Sequence, residues 1–174
     1  MKTIQLSVTL LTMLALLVSI PAAMGTGYTD VKPGSCPNPI NLKSNGVVSI
    51  AVAGYNGFNG TDLSTIDLDT LMVQFNYNGP QNVTIARYSF EDVINDSAAP
   101  GYPCCNPITT GDGVDDLVVK VKMDALRKAN LSPATTQMRV IWQPIGSDEW
   151  TGSSWDQIQV FEPPTVKKPK CGVE

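Results

Sequence analysis

The stretch DLVVKVKM, Asp116–Met123, places Leu117, Val119, Val121 and Met123 at every second position, with Lys120 and Lys122 between the later ones. A period of two predicts a strand with one face buried and the other wet. The same signal recurs along the chain, bounded each time by Gly, Pro or Asn. YTDVK (Tyr28–Lys32) predicts a first strand, and GVVSIAVAG (Gly46–Gly54), rich in β-branched residues, predicts the strongest one. TLMVQFNY (Thr70–Tyr77) and NVTIARYSF (Asn82–Phe90) flank NGPQ, a hairpin-turn signal. TTQMRVIWQ (Thr135–Gln143) and DQIQVFE (Asp156–Glu162) complete seven. Helix is scarce: MDALRKANL predicts two turns, with Asp124 as the cap. About seven short strands with polar turns predict an all-β protein, an antiparallel Ig-like β-sandwich.

The N-terminus follows another pattern. Lys2 is followed by IQLSVTLLTMLALLVSI, an apolar run without charge, and then by PAAMG. This is the layout of an export signal: positive start, apolar middle, small residues at the cut. Residues 1–25 are expected to be removed, with Ala22 or Ala23 as alternative last residues of the leader. The competing reading is an uncleaved membrane anchor, since the run lies near the lower spanning length. Residues 26–161 then form the β-sandwich domain, and residues 162–174 a proline- and lysine-rich tail. The expected location is secreted, extracellular or at the cell surface, with no stable membrane insertion of the mature chain.

Composition removes several function classes. The whole chain carries a net charge of −4 and no histidine. His-based triads and His metal sites are excluded, whereas carboxylate chemistry and all-oxygen cation sites survive. No basic patch is dense enough for nucleic acid. Four cysteines, Cys36, Cys104, Cys105 and Cys171, predict two disulfides in an exported chain. Pairing the adjacent Cys104 and Cys105 would require a strained ring. The preferred pattern ties one of them to Cys36 and the other to Cys171.

VKPGSCPNPINLKSNGVVSIAVAG, Val31 to Gly54, resembles the opening of a module of bacterial and archaeal secreted and cell-surface proteins, whose pattern is close to IKPGSxPNxINxKSxGV. FNGTDLSTIDLDTLMV resembles a second landmark of that family, and EDV (Glu91–Val93) with GDGVDDLVVKV (Gly111–Val121) resembles the two ends of a third, EDVNGDGxxDLV. The resemblance covers roughly Thr29 to Phe161. It implies a surface-exposed β-sandwich module and does not imply an enzymatic activity. This chain departs from the pattern at one place: INDSAAPGYPCCNPITT interrupts the acidic turn and carries both central cysteines.

The family's uninterrupted turn has the oxygen spacing of a calcium loop, with glycine permitting a sharp bend around the ion. In this chain Asp92, Asp112 and Asp116 would take the first, fifth and ninth positions. Asp96 is a candidate for the missing third oxygen, with Asn95, and Asp115 is a spare. Asp92 and Asp112 meet only if the inserted loop bulges out and returns. The competing reading is an acidic hairpin bend, because Gly111-Asp112-Gly113 is also an ordinary turn signal.

Trp142, Trp150 and Trp155 fall close together in IWQPIGSDEWTGSSWD. Trp142 sits in an apolar strand and is expected in the core. Trp150 and Trp155 lie in a Gly/Ser loop and are the candidate glycan-stacking residues. Sequons occur at Asn59, Asn82, Asn95 and Asn130. Asn82 begins a strand and is the poorest acceptor, which leaves Asn59, Asn95 and Asn130. No nucleophile elbow, phosphate loop or cofactor motif is present. The expected function is therefore a non-enzymatic extracellular module for binding or structure, with Ca2+ as candidate cofactor and an extracellular protein or glycan as partner. The alternatives are a carbohydrate-binding module and a carboxylate-dependent hydrolase.

Overall fold

The computed structural model describes residues 27–35, 37–55, 57, 60–76, 83, 85–95 and 111–164. They form a mostly β fold with one short helix. The strands are β1 (Thr29–Val31), β2 (Pro39–Asn41), β3 (Val47–Val52), β4 (Met72–Phe75), β5 (Ile85–Glu91), β6 (Asp116–Lys122), β7 (Gln137–Trp142), β8 (Thr151–Gly152), β9 (Asp156–Gln157) and β10 (Gln159–Phe161). The helix α1 spans Met123–Lys128, and two 3-10 turns precede β4.

One sheet has the order β1-β3-β6-β5, antiparallel throughout. A second has the order β4-β7-β8, also antiparallel, with β9 pairing β7 as well. A small parallel pair joins β10 to β2. Alternation explains which residues of the two larger sheets share one core. Leu117, Val119 and Val121 of β6, Val48, Ile50 and Val52 of β3, Val73 and Phe75 of β4, and Met138, Val140 and Trp142 of β7 belong to one buried cluster. Each such aliphatic side chain contributes about 1.5–3 kcal/mol on leaving water. Trp142 is in the core as its strand context predicts.

The sequence expectation and the structure differ in several places. β4 and β5 are not a hairpin: β4 pairs with β7 and β5 with β6. The apolar residues of both strands are served equally well by two sheets, and a turn signal cannot tell a hairpin from a crossing between sheets. β6 does not have one wet face along its length. Val118 is buried together with Ala51, Ala53 and Ile94 in a second, smaller cluster on the far side of the sheet. Asp124 is not the helix cap. β6 runs directly into α1, so Lys122 holds the cap position without a side-chain bond. Asp124 lies in the first turn and instead meets Lys128 at 2.8 Å and Arg127 at 3.9 Å. The last expected strand is two, β9 and β10, bonded to different partners.

Candidate functional site

The acidic turn closes on itself. Asp92 follows β5, and its Oδ1 accepts the Asp112 N–H at 2.9 Å while its Oδ2 accepts the Gly113 N–H at 3.0 Å. The two halves of the interrupted motif therefore do meet. Gly111 permits it, because a Cβ there would collide with the Asp92 carboxylate. Gly113 has φ 93°, a conformation that favours glycine. Asp112 Oδ1 in turn accepts the Val114 N–H at 3.0 Å.

Asp116 stands at the start of β6 and is buried. Its Oδ1 accepts the Gly54 N–H at 3.1 Å, and its Oδ2 accepts the N–H groups of Val93 at 2.8 Å and Ile94 at 2.6 Å. One carboxylate thus fastens the end of β3 and the segment after β5 to β6. Burial pushes its pKa up, helped by the nearby Asp112 and opposed by the three N–H groups. Asp92, Asp112 and Asp116 come to one end of the sheet, each already bonded to backbone N–H groups. Asp115 is exposed beside them, and Asp96 lies outside the described residues. Among the described residues, no three or more acidic or thiol side chains are grouped as metal ligands.

A second polar centre lies at the edge of β1. Asp156 Oδ2 accepts the Val31 N–H at 2.7 Å and the Asn38 side-chain amide at 2.8 Å; its Oδ1 accepts the Gln157 N–H at 2.7 Å. Asn38, at φ 54°, also donates to the Gln157 carbonyl at 2.9 Å, and its Oδ1 is buried without a hydrogen-bond partner among the described residues. Asp30, next along β1, is buried too, and no described residue donates to its carboxyl. Its pKa rises to about 7 through burial first, then the fields of Asp156 and Asp116. Asp156 is pushed up to about 7 by burial, against the pull of its N–H donors. Of the two, Asp156 is the better anion, because its oxygens receive three N–H groups and those of Asp30 receive none. Sequence reasoning missed this pair. The only signal is an aspartate within each of two apolar strand segments.

This centre explains the KPGSCPNPIN segment. Lys32, at φ 59°, sends Nζ to the Pro39 carbonyl at 2.8 Å. Asn38 holds Asp156, and Pro39–Asn41 pairs in parallel with Gln159–Phe161. Further on, Arg127 of α1 donates to the carbonyls of Leu42 at 2.9 Å and Ser44 at 2.6 Å. The described part of the most distinctive motif thus joins the two ends of the domain.

The aromatic candidates separate. Trp150 is 42 % exposed. Trp155 is half-buried, with the Arg139 guanidinium 4.5 Å from its ring centre, so one face of that ring is already covered. Two further exposed aromatics, Tyr88 and Phe90, lie on β5 at 46 % and 47 % exposure. They lie opposite Val119 and Leu117, on the face that those core residues share, and yet stay exposed. A shallow groove of about 410 Å³ runs beside Tyr88, between β5 and the segment Leu68–Met72.

All four cysteines lie outside the described residues, as do Asn59 and Asn82. Asn95 is half-buried and Asn130 exposed, the latter at φ 66° just past α1. Among the described residues, no helix is long and apolar enough to cross a membrane. No family model, curated protein or solved structure matches the chain.

Proposed function

We propose that this protein is an exported, non-enzymatic module for binding or structure at the outside of the cell, with its two antiparallel sheets as the layers of an Ig-like sandwich. The observation that carries the reading is a contrast in exposure. The clustered carboxylates are engaged by backbone N–H groups, as in a structural brace, while large aromatics stand in solvent. Acid/base work needs a carboxyl free to reach a substrate proton; contact surfaces favour exposed aromatics. The apolar leader and the resemblance to secreted modules support the location. Labelling intact cells with a membrane-impermeant reagent tests it. Labelled chain, or chain in the medium, is expected; a product found only in the cytosol overturns the reading.

Calcium binding is a second reading, favoured by the meeting of Asp92 and Asp112 across the inserted loop. A cation bound only by the folded state raises the melting midpoint by mass action. A rise at millimolar calcium, lost in Asp112→Asn, supports it; equal midpoints with calcium and with chelator overturn it. Glycan binding through Trp150 is tested on a glycan array with Trp150→Ala.

A further inference from the structure

We infer that β5 is a homodimer edge, pairing antiparallel with β5 of a second copy about a two-fold axis at Ser89. Among the described residues β5 has one strand partner, β6, and its other side ends the sheet. Such an edge offers a row of N–H and C=O groups to another strand, and proteins usually blunt it with charge, proline or a bulge. β5 has a register break between Ile85 and Arg87, which leaves the regular stretch from Arg87 to Glu91 beyond it.

The charges within that stretch choose the occupant and the register. In its own sheet Arg87 stands directly opposite Lys120, a like charge, and Glu91 stands opposite Asp116. Glu91 gains partial relief from Lys120 Nζ at 3.8 Å. Antiparallel self-pairing centred on Ser89 places Arg87 opposite the second copy's Glu91, and Glu91 opposite its Arg87. It also places Tyr88 opposite Phe90, and Ser89 opposite itself. The two-fold axis makes each favourable pair occur twice. Centring on Arg87 or Glu91 would set like charges together, and centring on Tyr88 or Phe90 would leave both charges without an opposite one. The aromatics are already in edge contact within one copy, with ring centres 6.2 Å apart. Cross-strand aromatic pairs and opposite charges are the stabilising units of such a ladder.

The test is sedimentation velocity of the full chain, as recovered from the expressing cells, across micromolar to millimolar concentrations. A concentration-dependent dimer is expected. Arg87→Glu alone and Glu91→Arg alone should each weaken it at least about tenfold, because both symmetric pairs become like-charged. Mixing the two variants should restore a dimer of one copy of each, since the mixed pair has opposite charges at both contacts. A monomer at every concentration overturns the inference. So does a dimer that ignores both substitutions, or a mixture that fails to recover. Hydrogen exchange of the unsubstituted chain supplies a readout that needs no variant. Amides of Arg87–Glu91 should gain protection with concentration, and protection that does not change overturns the inference equally.

Discussion

The two edges of the four-stranded sheet are treated in opposite ways. At β1 the outward N–H groups are covered by side chains rather than by a strand. Thr29 N–H donates to Ser154 Oγ at 3.1 Å, and Val31 N–H donates to the Asp156 carboxylate at 2.7 Å. Thr29 Oγ1 returns a bond to the Ser154 carbonyl at 2.7 Å. At β5 no described strand pairs with the corresponding side, and Tyr88 and Phe90 of that strand are exposed. Sealing an edge with a carboxylate carries a cost that an open edge avoids, because the charge must be taken out of water. The comparison teaches that one sheet can meet its two edges differently: the outward N–H groups of β1 are held by side chains, while β5 has one strand partner among the described residues.

The sharpest way to break the comparison is to remove the seal. Asp156→Ala deletes the acceptor for Val31 N–H, the Asn38 amide and Gln157 N–H. Unsatisfied buried donors cost roughly 1–3 kcal/mol each. A loss of about 3–5 kcal/mol is expected, read as a lower midpoint in urea, with exchange at β1 accelerating first. If the midpoint moves by less than about 1 kcal/mol, the seal is not where the stability resides.

Acidification should sharpen it. Asp30 and Asp156 both have folded-state pKa values raised to about 7 from 3.8. A raised folded-state pKa means that the folded form binds protons more tightly than the unfolded one. Stability is then full below about 4 and is lost as pH climbs through about 7. The thermal midpoint should therefore rise from pH 8 to pH 5, with a slope of at most about 1.4 kcal/mol per pH unit for each carboxyl. Asp30→Asn, which is neutral at every pH, should flatten the slope and raise the midpoint at pH 8. A midpoint that falls on acidification over this range would mean that the buried pair is not protonated in the fold.

How far the sequence reveals this arrangement depends on the kind of information. Alternation located six strands within a few residues, because Leu117, Val119 and Val121 or Met138, Val140 and Trp142 must face one way. It missed β2 and β8, two or three residues each, too short to show a period. It could not assign β4 and β5 to different sheets, since pairing is a long-range choice. The meeting of Asp92 with Asp112 was legible as a possibility, but their bonding to backbone N–H groups was not. That depends on where main-chain donors point. Asp30 and Asp156 were hidden for the same reason: a residue's burial depends on what packs over it, and here the cover comes from 125 positions away.

The acidic turn should rank below the β1 seal. Asp92→Ala removes two acceptor contacts that are exposed to solvent, to Asp112 and Gly113. Water can replace an exposed partner, so about 1 kcal/mol is expected. Asp116→Ala leaves three N–H groups without their acceptor in a buried place and should cost about 3 kcal/mol, closer to Asp156→Ala. Equal losses for Asp92→Ala and Asp116→Ala, measured in urea without calcium, would place the whole turn in the interior and undo that ranking.

The smallest expected effect lies at the open edge. Phe90→Thr puts a β-branched strand former in place of an aromatic one and removes a ring that is half in solvent. What it surrenders is an edge contact with Tyr88 and partial cover for Leu117, its cross-strand neighbour. The unfolding free energy of the monomer should fall by about 0.5–1 kcal/mol. The measurement is a urea midpoint at low micromolar concentration, where association contributes nothing. A loss of 2 kcal/mol or more would mean that Phe90 is a core residue with an exposed rim, and that β5 is held as firmly as β1. A loss near zero, together with weaker association at high concentration, separates what the aromatic does for the fold from what it does for contact.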